Sequence, residues 1–322
     1  MDRRRVIAAT IAALICAPAI GVPKSNARVG YLELVKESDG ERLYREFIEG
    51  LQSHGYVEDR NLRVLRRSAT AQPDRLRPLA VELASAKVDV ILAASIEGAR
   101  SAKVAAPGIP TVFVISGDPI LEGLVTNLSR PQGSLTGLIT RGEELTGKRL
   151  QLLKEAFPGI RTVAIVGSNL SMSRAGSYDS AQKLRLNLLN FSTHDLNDYR
   201  DAAATIGRSS ADAILVVEDA DAVTNMAAFT RLMMATGLPV MFNADVFVEG
   251  DGFGLMAYGV SLRQQYRHAA DFVARLLEGA RPADLAVEQP TRYELVVNLR
   301  VASEAKLELP RDFLVRADRV IR

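Results

Sequence analysis

The stretch VDVILAASIEGARSAKVAAPGIPTVFVIS, residues 88–116, decides the fold of this chain. It begins and ends with an apolar run, residues 88–95 and 110–116, and the residues between the two runs are of mixed polarity. Short runs that are apolar throughout are typical of strands buried on both faces. Because such strands need helices above and below them, the stretch predicts a parallel α/β sheet.

The same alternation of strands and helices extends in both directions along the chain. Helices are predicted over residues 43–54, 74–86 and 180–189, and a weak strand over residues 190–192. Two similar halves, joined through RPQGSLTGL at residues 130–138, predict two Rossmann-like lobes with a cleft at the carboxyl ends of their strands. The other predicted strands begin at Arg28, Leu62, Thr162, Ala211, Leu238 and Gly254.

Length, charge and cysteine content limit the classes of protein that fit. The chain has 322 residues, of which 48% are apolar and 24% charged, as in a soluble globular protein with more than one core. The formal net charge is +2, but residues 1–27 carry +3, which leaves −1 for the remainder. Without a basic cluster we expect no nucleic-acid partner. Since Cys16 is the only cysteine, a disulfide framework, a cysteine nucleophile and a thiolate metal site are excluded.

Residues 1–27 have the layout of a secretory signal peptide. A run of arginines precedes an apolar stretch at residues 6–22, and Ser25 and Ala27 supply the small residues that a signal peptidase needs. We therefore expect export, cleavage near Ala27 and a mature chain in the periplasm. The apolar stretch is short for a membrane-spanning helix. A retained anchor, a lipid anchor at Cys16 and the choice between the general and twin-arginine routes stay open.

Five blocks in a fixed order carry a more specific signal. They are GLQSHGYVEDRNL from Gly50, IPTVFVISGDPILEGLV from Ile109, RPQGSLTGL from Arg130, GKRLQLLKEAFPGI from Gly147 and RPADLAVEQPTRYELVVNLRVASEAKLELP from Arg281. Together they resemble the ABC transporter substrate-binding family, with its TrpX-like members, over about residues 28–322. The resemblance implies the type I periplasmic binding protein fold and a receptor without catalytic activity, which works with an ABC permease and ATPase.

The resemblance also implies a division of the chain in which segments cross between the lobes. The helix over residues 262–278 would return to the first lobe, and the strand over 294–299 would belong to the second. We expect a signal peptide, a first lobe and a second lobe. Their limits are residues 1–27, then 28–140 plus about 260–285, and then 141–259 plus about 286–322.

The function expected from these features is capture of a small polar solute, such as an amino acid or a related compound, for an ABC importer. Solute bound between two hinged lobes would stabilise a closed form that the permease recognises. We expect a monomer. A receptor that feeds a signalling system would use the same binding chemistry and remains an alternative, followed by an α/β enzyme.

Candidate ligand contacts in the first lobe follow its strands. Glu33 and Leu34 come after the first strand, and Ser95 and Ile96 come after the third. Ser95 either caps the next helix or helps the free N–H groups of that helix to bind a carboxylate. Asp118 matches the position of the family's Asp-Pro turn, where it either contacts ligand or initiates the turn.

Candidate contacts in the second lobe follow its strands in the same way. A polar loop after the first strand, at the place of the family's Asn-rich loop, offers neutral donors and acceptors. Acids at the ends of the next strands either hold a ligand ammonium or hydroxyl group, or cap helices. A tyrosine at the end of the last strand either stacks on a ligand ring or packs near the hinge. These candidates are Asn169, Ser171, Asp219, Asn243, Asp245 and Tyr258.

The sequence contains no constellation that predicts an enzyme. The three histidines, His54, His194 and His268, are scattered, and no pair has the spacing of metal ligands. Nucleophile-elbow, phosphate-loop and dinucleotide-binding signatures are missing. A transcriptional regulator with related lobes would need a helix-turn-helix where this chain has an apolar segment. We therefore expect no catalytic residue, metal ligand or cofactor.

Overall fold

The computed structural model describes residues 25–140, 145–168, 170–217, 220–249 and 254–322, with the backbone alone at residues 171–176, 220 and 221. The described residues form two sheets, each with helices on both faces. Strands are parallel in both sheets except where the last part of the chain joins the second. The predicted fold class, α/β with two Rossmann-like lobes, is confirmed.

The first lobe is built on five parallel strands in the order β2-β1-β3-β4-β5. Its strands are β1 Ala27–Glu33, β2 Leu62–Ser68, β3 Val90–Ala93, β4 Thr111–Ile115 and β5 Leu135–Ile139. The helices that connect them are α1 Glu37–Ser53, α2 Leu76–Ser85 and α3 Ile96–Ala105. β3, β4 and β5 are buried throughout, and for β3 and β4 this follows from their apolar runs.

The second lobe has seven strands in the order β12-β11-β10-β9-β8-β6-β7. Its strands are β6 Thr162–Gly167, β7 Asn187–Ser192, β8 Ala213–Val216, β9 Val240–Ala244, β10 Met256–Val260, β11 Glu294–Asn298 and β12 Arg319–Ile321. The helices in this half of the chain are α4 Thr146–Ala156, α5 Leu170–Leu184, α6 Leu196–Ile206, α7 Ala220–Thr224, α8 Met226–Met234, α9 Leu262–Leu277, α10 Leu299–Glu304 and α11 Arg311–Val315.

Two late segments of the chain connect the lobes. α9 follows a second-lobe strand but packs on the first sheet beside α1, where Phe272 and Val273 join the core that contains Phe47. β11 then pairs antiparallel with β10 in the second sheet. The lobes are therefore joined by more than one segment of chain, which is the arrangement of a hinge. The residue limits given above for each lobe stay predictions.

Two local predictions differ from the structure. The segment at residues 130–138 is more than a connection between lobes, because it enters β5, the edge strand of the first sheet. The Thr136 hydroxyl donates to the Leu285 carbonyl, and Gly137 lies against Phe113, so this glycine-containing run is held by partners distant in sequence. The helix expected over residues 180–189 ends at Leu184, and β7 takes the residues from Asn187 onward.

The beginning of β1 bears on the expected processing site. Ala27 is fully buried, and its N–H donates to the Asn61 carbonyl at 2.8 Å. Cleavage after Ala27 would remove both this side chain and this hydrogen bond from the folded chain. Within the described residues, no helix combines the length and apolarity that a membrane span requires.

The contact between α1 and α9 requires a glycine at position 50. A Cβ on Gly50 would lie 2.6 Å from the Ala270 Cβ and 2.7 Å from the Arg267 carbonyl oxygen. We expect Gly50→Ala to lower the free energy of unfolding by about 1 to 3 kcal/mol through overpacking, although alanine is the better helix former. Gly159→Ala is the matched control, because no atom lies within 4 Å of a Cβ there. Denaturant titration measures both, and an unchanged midpoint for Gly50→Ala would contradict the close packing.

Candidate functional site

A cavity between the lobes lies at the carboxyl ends of the first-sheet strands. Strand ends in the first lobe contribute one side, and α7 of the second lobe contributes Val223 and Thr224 to the other. We call this cavity the interlobe cleft; it is bordered by Leu34, Ser95, Ile96, Ser116, Thr140 and Val223, among others. Parallel sheets place their binding loops at this edge, so the position follows from the topology. Apolar side chains form most of the walls, with hydroxyl groups between them.

The residues after β3 lie in the cleft as the sequence placed them. The Ser95 hydroxyl oxygen accepts a hydrogen bond from the Gly98 N–H at 2.9 Å and so caps α3. Ile96 packs over Gly117, where any Cβ would meet the Ile96 Cδ1 at 3.0 Å. The capping role of Ser95 is thus visible, and the first turn of α3 borders the cleft.

Asp118 has the contacts of a turn residue. Its Oδ1 accepts from the Ile120 N–H at 2.8 Å and from the Leu121 N–H at 3.3 Å. These bonds close the loop after β4 in the way that an aspartate before proline commonly does. The neighbouring Ser116 borders the cleft instead.

Glu33 and Leu34, at the end of β1, lie in different environments. Leu34 borders the interlobe cleft, whereas Glu33 is buried and its Oε1 accepts from the Arg66 Nε at 2.6 Å. The Arg66 guanidinium also lies over the Tyr44 ring, 4.4 Å from its centroid, and binds Glu41. Burial raises the pKa of Glu33 to about 7, against the opposing attraction of Arg66.

A smaller cavity adjoins the interlobe cleft on the side of Glu33. We call it the inner cavity; its walls include Tyr31, Glu33, Gly40, Arg42 and Val246. It shares Val35, Leu43, Ala94, Val223 and Tyr266 with the interlobe cleft. The two cavities therefore form adjacent parts of one interlobe space. Glu97 borders the cleft, and Glu33, Asp39 and Arg42 border the inner cavity.

Two second-lobe candidates, Asn169 and Asp219, fall outside the described residues. Ser171 is described by its backbone alone, within α5. Asn243 precedes the last residue of β9, whereas Tyr258 lies in the middle of β10 and not at the end of the strand as expected. Both backbone carbonyls accept hydrogen bonds from the buried Arg149 of α4. The Tyr258 ring packs beside Tyr293, with 6.4 Å between the centroids.

Asp245 joins the end of β9 to the beginning of α9. Its Oδ2 accepts from the Ser261 hydroxyl at 2.6 Å, and its Oδ1 accepts from the Leu262 N–H at 3.0 Å. The carboxylate is 3% exposed, and burial raises its pKa. The sequence left two roles open for Asp245. The observed contacts are those of a helix cap, and a contact with ligand stays a prediction.

Sequence reasoning missed a charged cluster at the rim of the cleft. The buried Glu249 carboxylate contacts the guanidinium groups of Arg42, Arg263 and Arg319. Arg42 belongs to α1 of the first lobe, so its ion pair with Glu249 at 2.5 Å bridges the lobes. No local pattern marks these residues, because they come together only when α9 and β12 take their places. Within the described parts of the chain, no group of His, Cys, Asp and Glu side chains is arranged to hold a metal ion.

Comparisons with known proteins agree with this architecture. Residues 29–321 match the family model described as ABC transporter substrate binding protein. The tyrosine-binding protein of Clostridioides difficile is 22% identical over 279 residues, which make up 85% of this chain and 79% of that protein.

Two solved structures show that the fold is shared. A conserved domain protein from Vibrio cholerae has a TM-score of 0.78 at 23% identity, over 92% of this chain and 100% of that one. The ABC domain from Streptococcus pneumoniae in complex with L-Trp has a TM-score of 0.77 at 21% identity, over 91% of this chain and 100% of that one. The chain therefore has the type I periplasmic binding protein fold.

The contacts of Asp245 generate a stability prediction. Asp245→Ala leaves the Ser261 hydroxyl and the Leu262 N–H without their buried acceptor. We expect the free energy of unfolding to fall by about 2 to 4 kcal/mol, because unpaired buried donors keep their desolvation cost. Asp74→Asn, at an exposed aspartate before α2, is the control and should leave the unfolding midpoint unchanged. Equal midpoints for Asp245→Ala and the wild type would show that Asp245 does not fix the beginning of α9.

Proposed function

Because the chain belongs to the family of ABC transporter substrate-binding proteins, we propose that it captures an amino acid with an apolar side chain and delivers it to an ABC importer. The family consists of solute-binding proteins rather than enzymes, and its members work with membrane-embedded transporter subunits. We propose that this chain likewise acts without catalysis, as a monomer, together with a permease and an ATPase.

The interlobe cleft is the observation that carries this proposal. It lies between two lobes joined by a hinge, and its walls come from both of them. Apolar side chains such as Leu34, Ile96 and Val223 would surround the side chain of a ligand, while hydroxyls of Ser95, Ser116 and Thr140 would contact its polar groups. A mostly apolar pocket with a few placed polar groups is the usual form of a small-molecule site.

The known ligands of similar proteins support an amino acid. The relative from Clostridioides difficile is a tyrosine-binding protein, and the solved structure from Streptococcus pneumoniae contains L-Trp. The cleft of this chain has the apolar walls that such side chains require, with Tyr266 as an aromatic residue at its border. We therefore propose an aromatic amino acid, or one of similar size and polarity, as the ligand.

Capture would couple ligand binding to closure of the lobes. A ligand that contacts both lobes stabilises the closed form by its differential affinity for that form. The ion pair of Arg42 with Glu249 crosses the rim of the cleft and would form only when the lobes are close. The permease would then recognise the surface that the two closed lobes present together.

We further propose that the chain is exported to the periplasm and loses its N-terminal signal. The buried position of Ala27 in β1 favours cleavage on the N-terminal side of this residue, so that the strand stays complete. Binding proteins of ABC importers act outside the cytoplasmic membrane, where the solute is first met.

Thermal unfolding of residues 26–322 with and without single solutes tests the proposed function. At about 100 times its dissociation constant, a ligand should add roughly 2.7 kcal/mol to the free energy of unfolding and raise the midpoint. We expect a selective rise with L-tryptophan, L-tyrosine or a similar amino acid, and none with sugars, purines or dicarboxylates. A rise with a solute of one of those other classes would identify that class, and not an amino acid, as the ligand. The absence of a rise with every solute of the panel would contradict a receptor function.

A substitution on the second lobe tests whether the ligand lies between the lobes. Val223 is half-buried and faces the cleft from α7, so Val223→Arg would place a long charged side chain in the ligand's space. We expect ligand affinity to fall about tenfold or more, since the apolar wall is lost and an unpaired charge enters the cavity. Val81→Arg, at an exposed position on α2, is the control. Calorimetric titration measures both variants, and equal affinities would place the ligand elsewhere.

A further inference from the structure

The Glu33 carboxylate has one oxygen that the protein leaves without a partner. Glu33 is 1% exposed, and its Oε1 is bound by Arg66. Its Oε2 is buried and has no hydrogen-bond partner among the residues that the structure describes. Buried carboxylate oxygens are normally hydrogen-bonded, because they lose their hydration on folding. An unpartnered one beside a cavity therefore points to a ligand group.

Because Gly40 has no side chain, there is room beside it for this oxygen. A Cβ at position 40 would lie 2.3 Å from the Glu33 Oε2, too close for any side chain without a shift of the carboxylate. Both Gly40 and Glu33 border the inner cavity. The glycine on α1 and the acid at the end of β1 thus form one side of this cavity together.

Side chains of the second lobe cover one side of the inner cavity. Val223 and Val246 of that lobe border it, and it shares five residues with the interlobe cleft. The interlobe cleft therefore adjoins the cavity that Glu33 borders. The second-lobe side chains that border the inner cavity, Val223, Met226 and Val246, cannot donate a hydrogen bond, so on this side a donor for Oε2 would come from a bound molecule or from water.

The charges around Glu33 favour a cationic group. Two carboxyl groups, those of Glu33 and Asp39, border the inner cavity, and one guanidinium group, that of Arg42, borders it as well. Arg66 is paired with Glu33 and Glu41, and Glu41 is also paired with Arg45. Arg42 is itself paired with Glu249. An ammonium group would balance the excess charge and supply three hydrogen-bond donors.

We propose, on the basis of the function proposed above, that the Glu33 Oε2 accepts hydrogen bonds from the ammonium group of the bound amino acid. Glu33 is then a specificity-determining residue, which distinguishes an amino acid from a carboxylic acid of the same shape. The Oε1 of Glu33 keeps its bond to Arg66, so the carboxylate is held in place by one oxygen and binds ligand with the other.

Ionisation of Glu33 makes the binding of an ammonium group dependent on pH. Since burial raises the pKa of Glu33 to about 7, the carboxyl is largely neutral at pH 6 and largely ionised at pH 8. Only the ionised form can accept from an ammonium through both lone pairs of Oε2, so affinity should rise with pH over this window. The charged and titratable groups that face Glu33 are Tyr31, Glu37, Asp39, Glu41, Arg42, Tyr44, Arg66 and Tyr266.

The first test compares L-tyrosine with 3-(4-hydroxyphenyl)propanoate, which lacks the ammonium group, and L-tryptophan with indole-3-propanoate. We expect the wild type to bind the amino acid of the preferred pair at least about tenfold more tightly than its analogue. Glu33→Gln keeps an acceptor for Arg66 but presents an amide in place of the charged oxygen. We expect this variant to lose the preference, while its affinity for the analogue stays within about threefold.

Glu41→Gln is the control for the Glu33 variant. It removes a charge from the same arginine, but Glu41 is partly exposed and lies at the outer side of that arginine. We expect Glu41→Gln to keep the preference for the amino acid. A folded Glu33→Gln variant that keeps the full preference would overturn the role of Glu33 and leave the proposed function standing. Failure of the wild type to bind any amino acid would overturn both.

A second test uses the wild type alone and so does not depend on the stability of a variant. The ratio of affinities for the amino acid and its analogue should rise about tenfold between pH 6 and pH 8, as Glu33 ionises. Every other group that titrates should affect the affinity for the amino acid and for the analogue alike, so the ratio of the two affinities cancels its effect. A ratio that stays constant over this range would contradict the proposal.

Discussion

The packing of α9 against α1 is the contact on which the two-lobed structure depends. α9 leaves the second lobe after β10, and it covers the first sheet with side chains such as Phe272 and Val273. The close approach at Gly50 lets the two helices meet without a gap. Asp245 fixes where α9 begins, so the direction of the returning chain is set at the cleft itself. The geometry of the cleft is therefore a consequence of how one helix is anchored and packed.

Much of the fold follows from the apolar runs of the sequence. β3 and β4 are recognisable because a strand buried on both faces has to be apolar throughout. β5 could not be recognised in this way, since its run contains Gly137 and its partners are Phe113 and Leu285. β7 has a half-exposed pattern that local sequence does not separate from the end of α5. The crossings of α9 and β11 were predicted only from the resemblance to a family, because no local pattern determines which sheet a segment joins.

The position of some candidate residues, though not their role, could be predicted where topology alone decides it. Leu34, Ser95 and Ile96 border the cleft because they follow buried parallel strands. Asp118 and Asp245 follow strands as well, but their carboxylates bind nearby N–H groups. An acid that caps a helix and an acid that binds a ligand have the same sequence signature, and only the direction of the side chain separates them. The environment of Glu33, which Arg66 and Gly40 create from other elements, is likewise visible only in three dimensions.

The return of α9 to the first lobe also has a consequence for how the chain acquires its structure. The first sheet is complete in sequence at Ile139, yet the helix that covers one of its faces ends at Leu277. In an emerging chain α1 is the first helix to cover this face, and the part under α9 stays exposed until most of the length has been synthesised. Contacts between residues so far apart also slow folding, because a long loop has to close before they form. A chain built in this way completes its first core only near the end of its synthesis.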